Sequence, residues 1–225
     1  MKRQRIVIVG AGGMAREITS ALQSINRVEE RFEFLGYVVS DLSHLGERDS
    51  REAVLGDLSW LGKNRASLDA LALGVGHPAV RVRLAEELSG IEGIEWPVLV
   101  HPTAIIDHET ARLGQGCFIG AGAIATVNIS LAPFALVNFG ATLGHEASIG
   151  RGSVINPGAN ISGGVVIGDG VLVGTGAQVL QYLHIGAGAV VGAGAVVTKG
   201  IAEGTTVVGV PARPRGRAAT VVAGR

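Results

Sequence analysis

The stretch LGQGCFIGAGAIATVNISLAPFALVNFGATLGHEASIGRGSVINPGANISGGVVIGDGVLVGTGAQVLQYLHIGAGAVVGAGAVV, Leu113–Val197, decides the architecture. Taken every sixth residue from Leu113, it reads Leu113, Ile119, Ala125, Leu131, Val137, Leu143, Ile149, Ile155, Ile161, Ile167, Val173, Val179, Ile185, Val191, Val197. Fourteen of these fifteen are Leu, Ile or Val, and none is polar. The residue four further on is always Cys, Ala, Ser, Val, Ile or Leu, and the residue three further on is glycine in eleven of fifteen. Neither a helix nor a hairpin sheet has a period of six. The pattern predicts a short strand with one branched aliphatic pointing inward, then a tight corner, then a small inward residue. Glycine suits the corner because its backbone takes dihedrals that a Cβ forbids. Three such sides close a triangular coil, and stacking coils about 4.8 Å apart lets each bury its neighbour's inner face.

Working outward to the N-terminus, residues 1–100 follow a different grammar. Ile6–Val9 is a β-branched run ending at Gly10, and Met14–Ile25 has helical apolar spacing. Phe32–Val39 and Leu68–Val75 read as a second and a third strand, and Ala79–Leu88 (AVRVRLAEEL) as an amphipathic helix. Strands alternating with helices imply a parallel α/β unit of four or five strands. The chain therefore divides into an α/β, Rossmann-like domain over 1–100 and a parallel β-helix over 101–225. The tail from Arg215 to Arg225 is small and basic, and is expected to be loosely ordered.

Several motifs resemble a known family, the hexapeptide-repeat acyltransferases. They are the opening VGAGGMAREI, the connecting HPTAII (His101–Ile106), LGHEASIG (Leu143–Gly150) and the ending VVTKGIAEGTTVVGVPARP (Val196–Pro214). Together they are similar to sugar acyltransferases of the sialic-acid O-acetyltransferase and nucleotide-amino-sugar N-acetyltransferase type, over nearly the whole chain. The resemblance implies a left-handed coil; the period alone does not give the hand, and the general crossover rule favours the opposite one. It also implies acetyl-CoA as co-substrate, a nucleotide sugar in the N-terminal domain, and a homotrimer with active sites between neighbouring β-helices.

His145 and Glu146 stand out without that resemblance. Glu146 occupies a corner where most repeats have glycine, so a charge replaces the residue that the geometry prefers. Acyl transfer from a thioester needs a base for the attacking amine or hydroxyl, and a neutral imidazole suits it. A carboxylate beside the imidazole fixes its tautomer. By resemblance, Asn138 is a nearby polar contact, Gly163 an oxyanion donor, and Asn156, Gly176, Lys199 and Arg213 belong to the acetyl-CoA site. Relatives often carry a second histidine where this chain has Val154. His108–Glu109 is a rival pair, His184 reads as structural or solvent-facing, and His101 reads as a linker residue. His44 lies in a polar loop and carries no signal.

In the N-terminal domain, Gly10, Gly12 and Ala15 form G-x-G-x-x-A between a strand and a helix, with Gly13 in the same loop. Such a loop seats a phosphate on backbone N–H groups at a helix N-terminus. Asp41 is placed to accept from a ribose or base, and the Gly74–Pro78 turn brings Gly76 and His77 to the same cleft. The bland alternative is that the glycines only permit a tight turn.

Composition excludes other classes. Lys+Arg and Asp+Glu both number 19, so nothing in the charge favours nucleic acid or an anionic membrane. A single cysteine, Cys117, suits a cytoplasmic protein and falls at a small inward repeat position. The ligand spacing of a metal site is absent, so none is expected. Four readings follow: N-acetylation of a nucleotide-linked amino sugar, O-acetylation of a sugar hydroxyl, a dinucleotide-binding oxidoreductase or sensor whose solenoid serves only assembly, or a purely structural or binding solenoid.

Overall fold

The computed structural model describes residues 3–215; the tail beyond Arg215 lies outside them. The N-terminal layer is a four-stranded parallel sheet in the order β3-β2-β1-β4, built from β1 (Gln4–Val9), β2 (Phe32–Val39), β3 (Val54–Asp57) and β4 (Ala70–Leu73). Helices α1 (Gly13–Val28), α2 (Ser59–Lys63) and α3 (Pro78–Glu87) accompany it. The run expected as third strand is thus the fourth in chain order. Val54–Asp57 carries no strand signal in the sequence, because it is a four-residue edge strand interrupted by Gly56, too short for any alternation to show.

From Leu99 the chain winds into a left-handed parallel β-helix. Its strands form three faces, parallel except at the end of the second, where Arg213–Pro214 pairs antiparallel with Thr206–Val208. The first face starts at Arg112–Leu113, the second at Leu99–Val100 and the third at Ile105–Ile106. Partners within a face are eighteen residues apart, as in Ser130↔Ser148 and Leu136↔Val154. The spacing changes only at the last turn, where Val191 pairs with Val207. The coil begins earlier than the strict period, because Leu99–Val100 already pairs with Phe118–Ile119. His101 is therefore part of the first coil, its N–H donating to the Ile119 carbonyl, rather than a linker.

The interior is one continuous aliphatic column, Ile119, Val137, Ile155, Val173 and Val191 on the second face alone, each at most 1% exposed. Small residues fill the narrow corners, Cys117 among them at 0%. Ser153 is the polar member of that set. Its hydroxyl donates to the Gly168 carbonyl and accepts from the Val171 N–H, so its burial leaves nothing unpaired.

The outward residues of the second face are also apolar. Leu99, Phe118, Leu136 and Val154 share one core with Ala15, Ile18, Leu22 and Ile25 of α1. The α/β layer thus docks along that single face. Val154, where the family resemblance leads one to expect a histidine, belongs to this seam and is 1% exposed. A second clasp lies at the corner between the first and second faces. There the buried Arg81 of α3 donates twice to the Phe134 carbonyl and also to the carbonyls of Leu73 and Val75. The Phe134 ring meets Trp96 edge-on at 5.1 Å.

Candidate active site

The corner between the third and first faces is the vertex opposite the docked layer. His145 and Glu146 sit there, between Thr142–Leu143 and Ser148–Ile149. Both are exposed, at 52% and 59% of their side chains, and His145 Nδ1 is 3.7 Å from Glu146 Oε2. That separation is an ion pair when the imidazole is protonated and is longer than a hydrogen bond. Glu146 has φ +62, the left-handed conformation that glycine holds at Gly122, Gly140, Gly152 and Gly158. A charged residue kept in that region is strained relative to glycine.

One coil further along the same corner is Gly163. A Cβ built on it would stand 2.3 Å from His145 Nε2, so the imidazole fills the space that glycine leaves open. The Gly163 N–H has no hydrogen-bond partner among the described residues, whereas the next N–H, of Gly164, donates to the His145 carbonyl. An imidazole nitrogen beside a free backbone N–H is an arrangement of base and oxyanion donor. The Tyr182 ring stands on the same corner, its centroid 6.4 Å from that of His145.

The other expected site residues divide among several places. Asn138 lies on the preceding corner, between the second and third faces; it is 8% exposed, and its Oδ1 accepts from the Phe139 N–H. Asn156 and Gly176 occupy that same corner in later coils. With Glu17, Ser20, His101 and Phe139, Asn138 lines a cleft of about 190 Å³ against α1. The structure therefore does not bring Asn138 to His145 within one chain. Lys199 falls on the His145 corner near the end of the coil and, with Arg213, lines a cavity of about 410 Å³. His108–Glu109 sits on the His145 corner in the first coil, fully outward.

In the α/β layer, Gly10 has φ +113, and a Cβ on it would approach the Gly74 carbonyl oxygen to 2.8 Å, so the turn between β1 and α1 demands glycine. Gly12 caps α1 without a side-chain hydrogen bond, and no acidic residue occupies the first turn. The helix thus presents bare N–H groups suited to an anion. A cleft of about 870 Å³ opens beside it, lined by Gly13, Arg16, His44, Gly46, Glu47, Arg48 and Asp49. Arg16 lies within the opening VGAGGMAREI, yet the glycine pattern gives it no role, and Arg48 lies in no motif; only the fold carries the loop after β2 over the helix. Asp41 accepts from the Ser43 hydroxyl and N–H, and those bonds hold its carboxyl below the ordinary carboxylate range. It caps that loop, while Gly76 and His77 sit exposed ahead of α3; none of the three lines the cleft.

No group of three or more His, Cys, Asp or Glu among the described residues is placed to hold a metal ion, and none of their helices is long and apolar enough to cross a membrane.

Comparison with known proteins bears on this geometry. The family model described as bacterial transferase hexapeptide (six repeats) matches residues 164–199. A search of curated protein sequences gives no match. Among solved structures, PerB from Caulobacter crescentus in complex with CoA and GDP-perosamine is 28% identical, with a TM-score of 0.83, covering 94% of this chain and 97% of that one. The acetyltransferase domain of PglB from Neisseria gonorrhoeae, in complex with acetyl coenzyme A, is 28% identical with a TM-score of 0.83, over 95% and 100%. WeeI from Acinetobacter baumannii is 27% identical with a TM-score of 0.79, over 93% and 99%.

Proposed function

The chain belongs to the hexapeptide-repeat acyltransferases of the left-handed β-helix type, and on that premise we propose that it moves an acetyl group from acetyl-CoA to the amine of a nucleotide-linked amino sugar. The observation that carries this reading is the His145–Gly163 pair, a base beside a free N–H on an open corner.

In the proposed reaction the amine attacks the thioester carbonyl while His145 Nε2 takes its proton. Glu146 steadies the imidazolium, which draws the pair from 3.7 Å into contact. The carbonyl oxygen, now negative, is held by the Gly163 N–H. Collapse of the tetrahedral adduct breaks the C–S bond, and the imidazolium returns the proton to the departing CoA sulfur. The solved relatives with CoA and GDP-perosamine or acetyl coenzyme A bound support the substrate classes, and a further solved structure, perosamine N-acetyltransferase from Caulobacter crescentus, 27% identical, supports amine over hydroxyl.

The nucleotide is assigned to the cleft at the bare end of α1, its phosphates facing Arg16 and the N–H groups of the glycine loop. Within one chain that layer covers the second face, and His145 lies on the opposite vertex. A substrate anchored in one chain's cleft therefore reacts at another chain's His145, which supports a homotrimer with shared sites. Apolar side chains left open on the third face, Ile105 at 64% and Ile124 at 37% exposed, fit such contacts.

The test is release of CoA thiol from acetyl-CoA with UDP-, dTDP- and GDP-amino sugars and free sialic acid, comparing wild type with His145→Ala. The expected result is turnover on an amino-sugar nucleotide that falls about 10²–10⁴-fold in the variant. Turnover on sialic acid alone would make the enzyme an O-acetyltransferase. No turnover together with retained NAD would sink the acyltransferase reading, and a monomeric mass in light scattering would sink the shared site.

A further inference from the structure

Among the described residues, four other than glycine hold the left-handed corner conformation: Asn128, Phe134, Glu146 and Tyr182, with φ of 58°, 62°, 62° and 57°. Asparagine tolerates that region. Phe134 is held by burial, at 4% exposed, and by Trp96. Glu146 adjoins the base. Tyr182 is bulky and 69% exposed, so no burial within the chain offsets its backbone strain. Strain of this kind clusters where a ligand is clamped.

The position of the ring is well defined. It lies over Gly164, where a Cβ would stand 2.3 Å from Tyr182 Cδ1, and the Tyr182 N–H donates to the Gly163 carbonyl at 2.9 Å. Carbon atoms in contact sit about 3.5–4.0 Å apart, so nothing slips between two rings whose centroids are 6.4 Å apart. Imidazole and phenol thus form one ledge along the corner. Beyond Tyr182 the same corner reaches the exposed Lys199 and the cavity it shares with Arg213. On the other side of His145 come Val127 and Asn128, which carry no charge. The corner runs in the order base, aromatic ring, cation, over coils spaced about 4.8 Å.

From this order we propose that Tyr182 binds the acyl donor. The donor's thioester lies at His145, its phosphates point to Lys199 and Arg213, and the flexible arm between them rests on the phenol ring. The proposal rests on the acetyl-CoA reading above.

The test compares Tyr182→Gly, Tyr182→Phe and wild type. Glycine fills this register position in eleven of the fifteen repeats, and Gly164 holds it with φ +66 one coil earlier on the same corner, so that variant relieves the backbone and keeps the fold. The readouts are steady-state kinetics against acetyl-CoA and the acceptor, calorimetric titration with free CoA, and mass by light scattering. For Tyr182→Gly, the KM for acetyl-CoA and the Kd for CoA are expected to rise about tenfold, with the acceptor KM and kcat within about twofold. Tyr182→Phe should match wild type. A change in acceptor KM alone, or no change in either, would overturn the proposal. So would a changed mass with CoA binding intact, which would make Tyr182 an intersubunit contact. If wild type neither binds CoA nor transfers acetyl, the underlying reading fails as well, which separates the two failures.

Discussion

The imidazole of His145 occupies the volume that any side chain on Gly163 would need, with Nε2 only 2.3 Å from the place of a Cβ. The proposed base and the proposed oxyanion donor are thus coupled through eighteen residues of sequence and one step of the coil.

Gly163→Ala follows directly. The φ of Gly163 is outside the left-handed region, so alanine fits the backbone and the protein should fold. The methyl must push the imidazole aside, and a displacement of that order is expected to lower kcat about 10²-fold. Kinetics beside a melting curve checks this; an active, equally stable variant would contradict the assigned geometry.

Glu146→Gly should move stability and activity in opposite directions. Removing a side chain from φ +62 is expected to stabilise by about 1 kcal/mol, a rise in Tm of about 2–4 °C. Losing the partner of His145 should lower kcat by about 10²-fold. A variant with lower Tm would mean that Glu146 is structural.

Arg81 is the clasp between the layers, and its guanidinium faces carbonyls with no carboxylate among its hydrogen-bond partners. Arg81→Met leaves the carbonyls of Phe134, Leu73 and Val75 without their donor, so a loss of about 3 kcal/mol is expected in denaturant unfolding. Arg81→Lys should recover only part, because an ammonium lacks the fork that reaches the Phe134 carbonyl twice.

Burial pushes the Cys117 thiol up to about 11 from an ordinary 9. The folded protein keeps its proton where the unfolded chain loses it, so this contribution to stability is complete below about pH 9 and fades as pH rises through 11. Native protein at pH 8 should not react with a thiol-specific disulfide reagent until it unfolds. Rapid labelling of the folded protein would contradict the inward placement.

The coil was legible because its period is local. Each six-residue unit states its own inward aliphatic and its own corner, so Leu113–Val197 could be aligned with the faces before any contact was known. His145–Glu146 was legible for the same reason, as a departure from a rule the sequence itself sets. Tyr182 broke that rule too, yet only its exposed ring beside His145 separates it from Phe134, which breaks the rule to clasp the domains.

By itself, then, the sequence determined the β-helix, the α/β layer before it, and the place of His145–Glu146 as a departure from the repeat, because period and register are written along the chain. Tertiary structure decided what depends on winding and docking. It put Val154 under α1, sent Asn138 and His145 to different corners, brought Arg16 and Arg48 together beside the glycine loop, and set His145 opposite the docked layer. The physical reason is that residues one coil apart become neighbours only when the coil closes, and a face is covered or open only once another layer packs against it.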